Sequence, residues 1–142
     1  MKLHTDGLTH FNLKNYYMDQ ITKYLTFIKD NGKHAPDVYG NADYRALKVE
    51  DALKAIEILK DIKVTIVGGD VLVEDASGRL KYAMNVWGVK WHTLNWSVAS
   101  RLAGESDIDR LNTSYILAKK KILEADEISK SLGNTCYIVF TI

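Results

Sequence analysis

The stretch SDIDRLNTSYILAKKKILEADEISKSLGNTCYIVFTI, Ser106 to Ile142, decides the fold. Ile108, Leu111, Tyr115, Ala118, Ile122, Ala125, then Ile128 or Ser129, and finally Leu132 recur at three- and four-residue steps. That is the period of a long helix with one apolar seam. Ser106 is placed to cap its start, and Gly133-Asn134 to stop it. Beyond the stop, Cys136–Ile142 is almost wholly apolar and β-branched. A strand of that kind needs neighbours on both sides, so it is expected in the middle of a sheet, and its removal is expected to unfold the domain. A long helix laid across a sheet is an α+β arrangement.

Upstream segments fill in the rest. From Leu13 to Asn31, Tyr17, Ile21, Tyr24 and Ile28 share one helical stripe that Leu25 widens, with Asn12 as a cap and Gly32 as a left-handed stop. His34–Asn41 contains Pro36 and Gly40 and reads as a loop. Tyr44–Leu47 suits a short strand. Val49–Asp61 carries Val49, Ala52, Leu53, Ile56 and Leu59 at helical spacing, with Glu50 and Asp51 in the first turn where the helix dipole favours acids. Next come a short β-branched run, Val64–Val67, a Gly68-Gly69 step suited to a bulge or turn, and Val71–Val73. Ser77-Gly78 marks a hairpin, with Arg79–Trp87 as the return strand. Lys90–Val98 alternates, with His92, Leu94, Trp96 and Val98 on one face and Trp91, Thr93, Asn95 and Ser97 on the other. The expectation is an α+β fold with a mainly antiparallel sheet of four to six strands and three helices packed against it. Residues 1–142 form a single domain.

Composition narrows the function classes. The chain has 142 residues, 46% of them apolar and 26% charged, the balance of an ordinary globular protein. Basic and acidic side chains number 19 and 18, for a net charge of +1. No general basic stripe exists to meet phosphates, and Lys119–Lys121 fan out around their helix, so direct nucleic-acid binding is not expected. Cys136 is the single cysteine and cannot form an internal disulfide, which suits a reducing compartment. Met1–Thr9 lacks a secretion-signal pattern, and no apolar run is long enough to span a bilayer. The expected location is the cytoplasm, with no membrane partner.

Catalytic apparatus is not visible. His4, His10, His34 and His92 lie far apart and form no metal-ligand pair. Gly68-Gly69-Asp70 lacks the longer glycine pattern, the lysine and the following helix of a phosphate loop. Cys136 sits in an apolar strand where a thiol stays protonated, and no serine occupies a nucleophile elbow. The acidic pairs Asp107/Asp109 and Asp126/Glu127 read as solvated helix surface. No enzyme activity, cofactor or metal is expected. The aromatic cluster differs. Trp87, Trp91 and Trp96 fall close together beside Tyr82 and His92. On alternating strands some must point away from the core. Trp96 is expected inward beneath the long helix, leaving Trp87 and Trp91 as candidate anchors for another protein.

Several of these residues stand in a recurring order. Glu50–Leu59 leads through a short apolar run into Val67-Gly68-Gly69-Asp70-Val71, then to Asn95-Trp96, Gly104-Glu105-Ser106 and Ser114-Tyr115. From about Tyr39 to the C-terminus the chain resembles the bacterial family Immunity protein 40. Two departures stand out: Gly78–Asn95 is longer than the usual pattern and carries Trp87 and Trp91, and the helix from Leu13 to Asn31 lies largely outside it. The resemblance implies a non-catalytic protein made beside a polymorphic or contact-dependent toxin, one that binds the toxin's C-terminal domain, often a nuclease. On that reading Tyr82, Trp87 and Trp91 are the anchors. Glu74, Asp75, Glu105 and Asp107 supply rim charges toward a basic nuclease cleft, as a local patch, because the net charge argues against wholesale mimicry of nucleic acid. Gly68, Gly69, Asp70 and Trp96 are scaffold. The alternative is a small-molecule or nucleotide-binding regulatory domain using the Gly68-Gly69 turn.

Overall fold

In chain order the elements are α1 (His10–Asn31), β1 (Lys33–His34), α2 (Pro36–Tyr39), β2 (Arg45–Lys48), α3 (Val49–Asp61) and β3 (Gly68–Glu74). They continue with β4 (Leu80–Tyr82), α4 (Ala83–Trp87), a 3-10 helix (Val89–Leu94), β5 (Trp96–Ser97), α5 (Asp107–Ser131) and β6 (Cys136–Thr141). The computed structural model describes residues 10–98 and 104–142, with side chains from residue 20 onward. The predicted stripe residue Tyr17 and the histidines His4 and His10 therefore lie outside the side chains described.

The sheet runs β1-β2-β6-β3-β4, with β5 added to β3, and every pairing is antiparallel. β6 sits at its centre, as its composition requires, and pairs with β3 from Gly68↔Thr141 to Val73↔Cys136. Alternation along the strands separates two layers. Leu47, Val71, Val73, Cys136, Ile138 and Phe140 join the main core beneath α1, α3 and α5. Ala46, Leu72, Leu80, Tyr137 and Val139 point the other way, into a smaller cluster with Val38 and Tyr39 of α2. The structure is α+β with a six-stranded antiparallel sheet, as expected, and beside the three expected helices, α1, α3 and α5, it has the short α2, α4 and 3-10 helix.

The expected antiparallel meander is where the sequence reading departs from the structure. Val64–Val67 is not a strand; it crosses from α3 to the sheet, and β3 begins at Gly68. The glycines make neither bulge nor turn, because both pair regularly with β6. Arg79–Trp87 is a strand only to Tyr82 and then turns helical, since Ala83 and Trp87, one helical turn apart, both face the main core. Lys90–Val98 is mostly a 3-10 helix. Its Trp91 and Leu94 pack inward at a three-residue step, which a strand would place on opposite faces. His34–Asn41 holds the one-turn helix α2 instead of only a loop. Gly32 is not left-handed. Its role is close approach: a Cβ there would lie 2.4 Å from the Ile28 carbonyl oxygen and 2.5 Å from the Arg45 Cβ. At the ends of the α5 seam, Ile108 and Leu132 are exposed (70% and 48%), while Ser129 is fully buried.

Candidate partner-binding surface

Several of the residues that order the sequence motif are bonded or packed within the fold. Ser114 and Tyr115 of α5 clamp the crossing from α3 to β3. Ser114 Oγ accepts from Ile66 N at 3.2 Å and donates to the Leu111 carbonyl at 2.8 Å. Tyr115 Oη lies 2.7 Å from the Val64 carbonyl oxygen and 3.1 Å from that of Leu59, and burial pushes its hydroxyl up to about 12. Ser106 Oγ caps α5 by accepting from Asp109 N. Asn95 Oδ1 accepts the Val71 N–H at 2.8 Å, filling the gap on β3 between its pairings with β5 and β4. Trp96 lies flat on Gly69, whose added Cβ would meet the indole at 2.2 Å, and stands edge-on to Phe140. Asp70 accepts from the Tyr39 hydroxyl at 2.6 Å, and burial together with this carboxylate raises the Tyr39 hydroxyl far above its ordinary range. Gly68, Gly69, Asp70 and Trp96 thus each have their partner within the fold. With both glycines buried in a strand, that step offers no loop to a phosphate.

A different kind of surface forms at α4 and the 3-10 helix. Trp87 and Trp91 rest half-buried on the main core. Around them Val86 and Val89 stand out, 39% and 78% exposed. The Lys90 ammonium lies 4.9 Å over the Trp91 ring, and His92 Nδ1 contacts the Val89 carbonyl at 3.0 Å. Lys121 Nζ donates to the Thr93 carbonyl at 3.1 Å, tying the 3-10 helix to α5. Gly88, at φ 120°, makes the kink between the two short helices, a conformation only glycine adopts readily. The segment is a short ridge of apolar side chains on two helical turns, with Lys90 and His92 among them.

The other predicted residues lie apart from this ridge. Tyr82 ends β4 and turns toward the smaller cluster on the opposite sheet face. Glu74 is on that face too, taken up by Lys33 at 2.9 Å and the Tyr137 hydroxyl at 3.1 Å, which together hold its carboxyl below the usual range. Asp75 shapes the hairpin: its Oδ1 accepts from Ser77 N, Ser77 Oγ and Arg79 N, and the Ser77 hydroxyl leads in lowering its pKa. Glu105 and Asp107 flank the start of α5. Fourteen residues of helix separate Asp107 from Lys121, about 21 Å along the axis from the contact with Thr93. Sequence reasoning missed Val86 and Val89, which a strand reading hides among alternating residues. It also missed the Tyr39–Asp70 bond, whose partners are 31 residues apart.

Elsewhere, a cavity of about 340 Å³ lies between the start of α3 and the end of α5, lined by Lys48, Glu50, Asp126, Ser129, Lys130 and Cys136. Its Asp126 and Lys130 already pair at 2.9 Å, and burial raises the Cys136 thiol. Among the described residues no cluster of His, Cys, Asp and Glu could hold a metal, and no helix is long and apolar enough to cross a membrane.

The family model described as Immunity protein 40 matches residues 37–142, most of the chain. The chain belongs to the Immunity protein 40 family. The match opens within α2 and takes in the whole sheet from β2 onward together with α3, α4 and α5. It leaves out α1, which nonetheless places Tyr24 in the main core with Phe27 and Ile28 against it. No curated protein and no solved structure matches the chain. As a member of a family of immunity proteins, it has a toxin as its partner class.

Proposed function

We propose that this immunity protein neutralises one cognate toxin by forming a tight stoichiometric complex with the toxin's C-terminal domain in the cytoplasm. The expected toxin is a nuclease, and the inhibitor role is non-catalytic. One observation supports the choice of contact surface: Ser114, Tyr115, Asn95, Gly69 and Trp96 spend their polar groups and surfaces inside the fold, whereas Val86, Val89, Trp87 and Trp91 carry exposed and half-exposed apolar area on two adjoining short helices. Rigid aromatic and aliphatic anchors of this kind dominate binding energy in protein complexes, which typically bury on the order of 1,200–2,000 Å². Tyr82, at the end of β4 and turned to the other sheet face, is proposed as a contact separate from this ridge. Glu74, Asp75, Glu105 and Asp107 are proposed as rim charges, acting on approach of a basic cleft more than in the buried centre.

The test is co-expression with the C-terminal toxin domain encoded directly upstream. The expected result is a one-to-one complex on gel filtration and survival of cells that express the toxin domain. A purified complex should also lose cleavage of DNA or RNA in proportion to the inhibitor added. Failure of both binding and rescue overturns the immunity reading for that pair. Rescue without loss of nuclease activity overturns the nuclease assignment alone.

A further inference from the structure

The last turns of α1, the start of β2 and the end of β6 meet at a cleft of two lobes that share Leu25, Ile28, Asp43 and Arg45. One lobe, of about 190 Å³, adds Tyr24, Tyr44 and Phe140; the other, of about 200 Å³, adds Thr26 and Lys29. The first lobe has apolar walls in Leu25, Ile28 and Phe140, and its Tyr44 ring is held against Tyr39 with 4.8 Å between centroids. No residue of the Trp87–Trp91 ridge lines either lobe, so a ligand here is independent of the proposed toxin contact.

Two polar groups in this cleft are left unused by the fold. Tyr24 is 4% exposed, yet its hydroxyl has no hydrogen-bond partner among the described residues. The hydroxyls of Tyr39, Tyr115 and Tyr137, by contrast, are all bonded. Burial raises the Tyr24 pKa, so at neutral pH the group is a protonated donor. A buried hydroxyl without a partner is costly, and an acceptor on a ligand removes that cost. The Arg45 side chain is 17% exposed and spends only Nε, on Asp43 at 3.1 Å. Its two terminal nitrogens make no hydrogen bond among the described residues, and a guanidinium offers them side by side in the fork that fits a carboxylate.

We propose that this cleft binds a small carboxylic acid with an apolar body. The carboxylate accepts from the terminal nitrogens of Arg45 and from the Tyr24 hydroxyl, and the body lies among Leu25, Ile28, Phe140 and Tyr44. Lys29 adds a second cation in the neighbouring lobe. Asp43 is the acidic side chain of the cleft, which disfavours a doubly charged phosphate and leaves a single carboxylate as the better match. At about 190 Å³ the apolar lobe is smaller than the roughly 300–1,000 Å³ of sites for drug-sized ligands, so it suits one ring or a short branched chain.

Calorimetric titration of the full chain with butanoate, 4-methylpentanoate, phenylacetate and 3-phenylpropionate tests this. At least one acid is expected to bind saturably at a single site with a dissociation constant below about 1 mM. The alcohol that matches it, with a hydroxyl in place of the carboxylate, should bind at least about tenfold more weakly. Arg45→Gln should weaken the acid at least about tenfold, with circular dichroism reporting that the fold is kept. Tyr24→Phe keeps the buried ring and removes only the unpartnered hydroxyl, so its melting temperature without ligand should equal or exceed that of the wild type while the acid binds several-fold more weakly. No saturable binding of any of the four acids up to about 10 mM overturns the proposal. So does equal affinity for acid and alcohol, or an affinity that both Arg45→Gln and Tyr24→Phe leave unchanged. Absence of acid binding together with loss of toxin rescue in Tyr24→Phe also overturns it, and assigns the cleft to the toxin instead.

Discussion

Trp96 and Trp91 stand five residues apart in sequence and occupy opposite kinds of place. Trp96 is in a strand, 9% exposed, laid on the bare backbone of Gly69 and braced by Phe140. Trp91 is on a 3-10 turn, half-buried, with a lysine over its face and a nearly naked valine beside it. The first exists because a glycine leaves a slot that only a flat ring fills. The second has its inner edge on the core and its outer edge available. The same residue type is a wall in one region and, on the proposed function, a handle in the other, and what separates them is the backbone beneath.

The sharpest way to break this contrast is at the wall. Trp96→Ala should cost about 3–5 kcal/mol in urea unfolding, from lost burial and the cavity left behind. Gly69→Ala should cost about 1–3 kcal/mol or more, because its Cβ would overlap the far edge of the indole. Combining Gly69→Ala with Trp96→Phe removes that edge, so the double variant should be less destabilised than the sum of the single ones; strict additivity would mean that the close approach is not what selects the glycine. At the handle the two readouts should separate. Trp91→Ala should weaken toxin binding by about 2 kcal/mol or more by calorimetry, while its cost in unfolding stays below that of Trp96→Ala. A collapse of stability equal to that of Trp96→Ala would make Trp91 a wall as well. Val89→Asp should move stability by less than about 0.5 kcal/mol yet still reduce toxin affinity.

The smallest effect belongs to neither tryptophan. Lys33 and Tyr137 hold the Glu74 carboxyl low, so the stabilisation is present above the ordinary carboxylate range, about pH 4, and is lost as pH falls through the lowered value. With Glu74 41% exposed, screening keeps this below about 1 kcal/mol. Glu74→Gln should flatten that part of the stability–pH curve and leave both tryptophan regions unchanged in fluorescence.

Legibility followed length and periodicity. The helix read as Val49–Asp61 has those bounds, with buried Ala52, Ala55, Ile56 and Leu59. The central strand was legible because a run without polar alternation has to be covered on both faces. Between Arg79 and Val98 the pattern misled, since two-residue alternation over a few residues also satisfies one helical turn, and the choice was made by Ala83, Trp87, Trp91 and Leu94 finding the core at three- and four-residue steps. The same misreading decided what could be seen of the site. Trp87 and Trp91 were visible by residue type alone. Val86 and Val89 became visible only once their segment was known to be helical. Bonds such as Tyr39–Asp70 and Ser114–Ile66 join residues too distant in sequence for any local pattern to show.

The central position of β6 has a bearing on synthesis. It is the last strand of the sheet to leave the ribosome, and both β2 and β3 wait on it for their longest-range pairings. Until it emerges, the hairpin of β3 and β4 has an open edge and α5 has no complete floor. Folding is therefore governed by contacts of high sequence separation, which form slowly and all at once instead of domain-end first. On the proposed function, protection waits until β6 has cleared the exit tunnel, because neither β2 nor β3 has its central partner before then.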